Sequence, residues 1–227
     1  MKISVIGTGK TGSKVVEMLG DNLAYAFDES NPPTLEKLKE SDAVIIFVPG
    51  DAVADIFDLV LESGVPAAWG STGFDWPEDL DEQVKAANTK WVLATNFSLG
   101  MNIIRNAIKA ISVGSEILKE PIFKIHEVHH VHKKDAPSGT ALSWKEWLHK
   151  EVEVASAREG DINGIHELTV TTNTEQITLK HEALDRGLFA EGAIWAVEQL
   201  LNEQLLTNGV VTFGQLFDKI IKNPHEY

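Results

Sequence analysis

Four of the chain's eight histidines fall at His126, His129, His130 and His132, and Lys133 and Lys134 follow at once. Directly after them comes D-A-P-S-G-T at 135–140, a start signal for a helix. An imidazole can move a proton near neutral pH, and an ammonium group can hold an anion. The amides of a helix start have no intrahelical partner and do the same. Side by side, these groups could bind a carboxylate and deliver a proton next to it. The surrounding chain is acidic: 34 Asp and Glu against 20 Lys and Arg leave a formal net charge of −14, so the basic cluster is a local exception. That charge argues against nucleic acid or an anionic membrane surface as the main partner, and any anionic ligand must be held by local groups.

Three chemistries compete for residues 126–134. A metal site would use His129, His130 and His132, but adjacent strand residues point to opposite faces, and the chain has no cysteine. No metal is therefore expected. A solvated polar rim with satisfied histidines is the bland reading, and it stands for His126, His132 and Lys134. The preferred reading is a substrate site, in which Lys133 and a histidine hold or protonate an anionic substrate. The amides around Ser138, Gly139 and Thr140 would complete a carboxylate cradle.

A second chemical stretch lies at the start. Residues 2–6 are a short apolar run suited to a buried parallel strand, residues 13–19 read as a helix, and G-x-G-x-x-G stands between them at 7–12. This is the context that a dinucleotide fingerprint requires. Gly7 allows the tight turn, Gly9 lets backbone approach a pyrophosphate, and Gly12 lets helix and strand pack closely. Lys10 and Thr11 complete the loop. The second strand, 23–27, ends at Asp28, where an acidic residue would bind a ribose 2′-hydroxyl. Glu29 follows, and no Lys or Arg appears before Lys37. Two carboxylates without a cation should repel a 2′-phosphate, so NADH is expected in preference to NADPH.

The elements that must position these groups alternate. Helices are expected at 34–40 (with Thr34 as cap), 51–63 and 79–87, and strands at 43–48, 65–69 and 91–95. Repeated β-α units imply a doubly wound parallel sheet of Rossmann type, with ligands outside its carboxyl edge. Gly70, Ser71 and Thr72 in one loop, and Thr95, Asn96 and Phe97 in another, lie on that edge beside the expected cofactor. A long helix, 99–118, then leads toward a second, smaller α+β domain. In it a strand at 121–128 delivers the histidine cluster, and a helix follows at 138–150. An antiparallel hairpin, 165–171 with 176–181, sets Leu168 and Val170 against Ile177 and Leu179. Helices at 189–206 and 213–221 close the chain. At 227 residues with 43% hydrophobic content the chain is an ordinary globular protein with ample core. The lack of cysteine suits a reducing cytoplasm, and no signal peptide or membrane span is visible.

The run HHVHKKDAPSGTA at 129–141, preceded by Glu127, resembles the signature of the 4-hydroxy-tetrahydrodipicolinate reductase family of the diaminopimelate–lysine pathway. GSTGF at 70–74, NFSLGMN at 96–102 and FAEGAIWA at 189–196 are similar in the family's order. The resemblance implies NAD(P)H-dependent reduction of a cyclic dicarboxylate, with loss of water. By motif position His129 would be the general acid and Lys133 a second proton donor or orienting cation. His130 would contact substrate, Ser138, Gly139 and Thr140 would bind one carboxylate, and Thr72 would touch substrate near the nicotinamide. Gly70, Phe47, Asn96 and Phe97 would line the cofactor. It also implies that the chain returns to its first domain, which gives residues 1–101 with 186–227 as the dinucleotide-binding domain and 102–185 as the substrate-binding and oligomerisation domain.

The chain departs from the family pattern in three places. Its first glycine loop is shorter and lacks an arginine. Ile46, Phe47 and Val48 replace Asp-Phe-Thr. A longer stretch of the family is missing around 165–175, in the part that builds a tetramer, so a homo-oligomer is expected but the tetramer is left open. Two rivals remain: another Rossmann-fold amino-acid dehydrogenase, which would not explain the His-Lys-Ser-Gly-Thr run, and a non-catalytic NAD(H)-binding sensor on the same fold.

Overall fold

The computed structural model of the chain describes residues 1–202 and 205–222. Among them the elements run β1 (Ile3–Ile6), α1 (Gly12–Leu19), β2 (Leu23–Phe27), α2 (Leu35–Lys39), β3 (Ala43–Ile46), α3 (Val53–Ser63), β4 (Ala67–Trp69), α4 (Leu80–Ala86) and β5 (Lys90–Leu93). They continue with α5 (Leu99–Gly114), β6 (Ile122–His129), α6 (Gly139–Leu148), β7 (Glu153–Arg158), β8 (Ile165–Thr171), β9 (Gln176–Glu182), α7 (Gly187–Leu200), β10 (Gly209–Thr212) and α8 (Phe213–Lys222). Two compact units result, one of Met1–Ser98 with the described residues from Arg186 on, the other of Leu99–Asp185.

The first unit is a doubly wound sheet of order β10-β5-β4-β3-β1-β2, in which every pairing is parallel. Its inner strands are largely apolar because helices cover both faces: every residue of β1, β3 and β4 is buried, and Ser4 is the one polar residue among them. The chain winds outward to β2 and then returns to β3 on the other side of β1. The order therefore reverses between β1 and β3, which opens a crevice at their carboxyl ends. The core under this crevice includes Ile6, Phe27, Val44, Ile46, Trp69 and Trp91.

The second unit is a four-stranded sheet of order β7-β6-β8-β9, with β6 parallel to β7 and the other pairings antiparallel. Phe123, Ile125, Leu168 and Val170 share a core with Met101, Ile104 and Ile108 of α5 and Ala141, Trp144 and Leu148 of α6. The Trp144 indole N–H, fully buried, donates to the Met101 sulfur at 3.1 Å. The hairpin has the expected register, Leu168 opposite Leu179 and Val170 opposite Ile177. β8 and β9 each supply seven residues to this ladder.

Several boundaries differ from the sequence reading. The helix expected over 189–206 is α7, which ends at Leu200, and residues 203–204 of that span lie outside the described residues. The domain expected over 186–227 likewise includes 223–227, also outside them. The helix expected over 99–118 stops at Gly114 and tightens into a 3₁₀ turn, Ser115–Ile117. Two strands were not anticipated. β7 is an edge strand with three exposed and three half-buried residues and lacks apolar alternation. β10 is only four residues long, too short to carry a period. Among the described residues no helix is long and apolar enough to cross a membrane.

Candidate active site

In the first unit, the G-x-G-x-x-G loop divides its glycines by role. Gly7 has φ +91° and lies against the Phe47 backbone, so a side chain there would be both strained and obstructed. A Cβ at Gly12 would collide with the Gly7 carbonyl, lying 2.9 Å from its carbon, which makes Gly12 the close-packing position between α1 and the turn. Gly9 has nothing within 4 Å of an added Cβ and faces open space. Lys10 is exposed and Thr11 half-buried at the start of α1, where no side chain caps the first amides. The Ser13 and Lys14 amides turn back to the Gly9 and Thr11 carbonyls at 2.9 and 3.0 Å, and a start without a side-chain cap suits a pyrophosphate.

Asp28 closes β2 as expected, and the structure gives its oxygens partners. Oδ1 accepts from the Ser30 amide at 2.9 Å, the Ser30 hydroxyl at 2.7 Å and the Asn31 amide at 3.1 Å. Among the described residues, Oδ2 accepts only from Thr8, at 3.2 Å, and is the more open of the two oxygens. The Ser30 hydroxyl, with the backbone amides, holds this carboxyl below the usual range. The next cation along the chain, Lys37, stands over the rings of Tyr25 and Phe27 at 5.6 and 6.0 Å.

On the carboxyl edge, the 70–73 loop is pinned: a Cβ on Gly50 would lie 2.6 Å from the Thr72 carbonyl oxygen, and one on Gly70 would strike the Phe47 ring. Thr72 and Thr95 are exposed. Ser71 is buried with an unpartnered hydroxyl, a donor waiting at the end of β4. Asn96 uses its Oδ1 to accept from the Ser98 amide at 2.8 Å. Phe97 is buried, edge-on to Phe47 at 5.8 Å and to Phe213 at 5.0 Å, so its ring belongs to the core.

The second unit carries the acid–base groups. β6 alternates, and Phe123, Ile125, Glu127 and His129 share its inner face. His130 falls on the other side of the strand's end, half-buried, with its ring 6.2 Å from that of exposed His132. Glu127 is 0% exposed. One of its oxygens is hydrogen-bonded to His129 Nδ1; the other accepts from Arg158 at 3.0 Å and from the Ser138 amide at 3.3 Å. Burial pushes Glu127 up, but bonds from Ser156, Arg158 and His129 outweigh it and leave the carboxyl below its ordinary range. Burial pushes His129 down, with Glu127 acting in the opposite sense. Its Nε2 has room because residue 164 is glycine: a Cβ there would sit 3.0 Å away.

Ser138 caps α6 and is buried. Its Oγ accepts from the Ala141 amide at 3.2 Å and shares a hydrogen bond with His166 Nε2 at 3.2 Å. Lys133 pairs with Asp135 at 2.8 Å. The Lys133 ammonium and, more weakly, the Gly139 amide hold the Asp135 carboxyl below its usual range. An internal carboxylate thus already rests on Lys133 and the start of α6, beside half-buried Thr140.

Three residues of this cluster were not assigned from sequence: Glu127, Arg158 and His166. Glu127 had a signal, its two-residue spacing from His129 on a strand. Arg158 had none, since β7 was not visible. Ligand atoms of Glu127, His129 and His166 come within 4.8 Å of one another. The Arg158 guanidinium already shares the Glu127 carboxylate, and its charge opposes a cation there.

His166 is buried, lies 5.0 Å from the His129 ring, and has its pKa pushed down to about 4 by burial first and His129 next. An unfolded histidine takes a proton near pH 6.5. The stability it lends is therefore complete above pH 6.5 and is lost as pH falls toward 4. The loss should reach about 3 kcal/mol. His166→Gln should flatten that part of the stability-versus-pH curve measured by urea unfolding; a variant curve parallel to the wild type over pH 4–6.5 would refute it.

Comparison with known proteins adds to this geometry. The family profile described as "Dihydrodipicolinate reductase, C-terminus" matches residues 100–217. The 4-hydroxy-tetrahydrodipicolinate reductase of Bdellovibrio bacteriovorus is 32% identical over 216 residues, covering 90% of this chain and 92% of its own. The enzyme of that name from Haloarcula marismortui is 30% identical over 254 aligned positions, covering 96% and 99%. Among solved structures, a dipicolinate-bound dihydrodipicolinate reductase from Paenisporosarcina sp. TG-14 has a TM-score of 0.72 at 20% identity, covering 93% and 97%. A diaminopimelate dehydrogenase from C. glutamicum has a TM-score of 0.54 at 13% identity and shares the fold.

Proposed function

The chain belongs to the dihydrodipicolinate reductase family, and from that premise we propose that it reduces 4-hydroxy-tetrahydrodipicolinate to tetrahydrodipicolinate, with NADH preferred over NADPH. The balance is one substrate, one reduced nicotinamide and one proton in; one product, one oxidised nicotinamide and one water out. A ring C–O bond breaks as the hydroxyl leaves with a proton, and a C–H bond forms. The nicotinamide supplies the hydride when bound.

The first unit is assigned the cofactor. Gly9 and the uncapped start of α1 take the pyrophosphate, Gly12 and Gly7 keep that turn closed, and Asp28 Oδ2 takes the ribose. Lys10, Thr11, Phe47, Gly70, Ser71, Thr95, Asn96 and the Phe97 backbone flank it, and Thr72 meets the substrate. The second unit is assigned the substrate. Lys133 and the α6 start exchange the Asp135 carboxylate for one of the substrate's, with Ser138, Gly139 and Thr140 framing it and His130 as a further contact. His129 gives a proton from Nε2. The observation that carries this reading is the buried Glu127–His129 pair set beside Lys133 and the Ser138 cap.

The test follows oxidation of reduced nicotinamide with substrate made freshly by the preceding synthase reaction. Turnover with kcat/KM at least about tenfold higher for NADH is expected, about 1.4 kcal/mol of discrimination. A clear NADPH preference would remove the Asp28 assignment. Tight NADH binding with no turnover would favour the sensor reading instead. A homo-oligomer is part of the proposal, its order left to sedimentation.

A further inference from the structure

We propose that Glu127 is the positioning residue of the proton donor: it holds the N–H of His129 Nδ1, so that Nε2 is the nitrogen that hands over the proton, and through Arg158 it ties the Lys133 loop to the same strand. This rests on the reading of His129 and Lys133 given above. Three observations carry it.

First, Glu127 and His129 occupy one face of β6 two residues apart, and their side chains are hydrogen-bonded. A histidine whose Nδ1 is fixed by a carboxylate keeps one tautomer and one ring orientation. Second, a fully buried carboxylate is costly unless its lone pairs are used. Here both oxygens are used, one by His129 and the other by groups from two other segments, Arg158 on β7 and the Ser138 amide at the cap of α6, and the Ser156 side chain of β7 bonds to the same carboxylate. Third, Arg158 does more than neutralise Glu127. Its Nε donates to the Lys133 carbonyl at 3.4 Å, and its second terminal nitrogen donates to the Asp135 carbonyl. One buried ion pair therefore fixes the tautomer of one candidate donor and the backbone of the other.

The charged and titratable groups facing His129 are Glu127 on its own strand, Lys133 in the following loop, Arg158 on β7 and His166 on β8, with His181 on β9 behind His166. Glu127 is the negative charge among those that act on His129, and Lys133 and Arg158 act in the opposite sense. Removing that charge should make His129 a stronger, less often protonated acid.

The test uses the whole protein. In Glu127→Gln, volume and an acceptor toward Arg158 are retained. The basic limb of the kcat–pH profile should move to lower pH by about one unit, with kcat at neutral pH down about tenfold and substrate KM changed less than about threefold. A merely structural Glu127 would change the yield of folded protein and leave the limb in place, which would overturn the proposal. The second measurement needs no Glu127 variant and no substrate. Nitrogen-15 spectra of the wild-type protein, with His129 assigned by its absence in His129→Gln, should show neutral His129 protonated at Nδ1. Protonation at Nε2 overturns the proposal whatever the activity. Failure of wild-type turnover, in contrast, would strike the functional reading and leave the tautomer result standing.

Discussion

Replacing His129 with glutamine should lower kcat by about 10²-fold or more while leaving the NADH dissociation constant unchanged. Glutamine nearly matches the reach of the imidazole and can still bond to Glu127, so the fold of β6 has little reason to change. What it cannot do is give up a proton at neutral pH. His129 is only 7% exposed, and burial, more than any other influence, pushes its pKa below the ordinary value. As a general acid it works in the protonated form. Wild-type activity should therefore fall as pH rises through the His129 pKa, and the variant should lose that limb. Lys133→Ala separates the two candidate donors. Lys133 carries the charge that a substrate carboxylate would meet, so its loss should raise KM as well as lower kcat. An unchanged kcat in His129→Gln, with Lys133→Ala inactive, would transfer the acid role to Lys133.

The chemistry of the second unit was readable in the sequence because it is concentrated in one run. A strand, a turn and a helix cap follow each other within 126–142, and local rules cover all three. Ser138 shows how far those rules reach: its place at the start of α6 was legible, and its bond to the Ala141 amide follows directly. That its hydroxyl also meets His166, 28 residues on, was not, because β8 alternates like any half-buried strand and one inward histidine carries no label. Arg158 was hidden for a similar reason. It ends an edge strand of mixed polarity, and the parallel register that brings it opposite His129 is a tertiary fact. The first unit was easier. Every residue of β1, β3 and β4 is buried, so each strand is an apolar run, broken only by Ser4 in β1. β10 escaped because four residues, Gly209–Thr212, carry too little pattern, although they pair with β5 over their whole length. The helix of 189–206 was overextended because Leu201 and Leu205–Leu206 continue the apolar composition beyond the point where the ladder ends.

Gly9→Ala and Gly12→Ala should produce opposite failures. An alanine methyl at Gly12 meets the Gly7 carbonyl, which is backbone and cannot rotate away; the start of α1 must shift from the turn it packs on. Overpacking of this kind typically costs about 1–3 kcal/mol, occasionally more. Gly12→Ala should therefore lower the urea midpoint, and it should weaken NADH binding because the displaced helix start no longer presents its amides. At Gly9 the methyl enters open space, with nothing of the protein within 4 Å, so the stability of Gly9→Ala should match the wild type. Yet Gly9 is the position where a pyrophosphate would approach the backbone. The same methyl should raise the NADH dissociation constant by about tenfold or more, equivalent to about 1.4 kcal/mol. Tryptophan fluorescence reads both quantities, since Trp69, Trp76 and Trp91 cluster in this unit with ring centroids 5.2 Å apart in each adjacent pair. Wild-type affinity in Gly9→Ala would move the cofactor off the G-x-G-x-x-G loop, and wild-type stability in Gly12→Ala would mean that the turn gives way more easily than its backbone contacts imply.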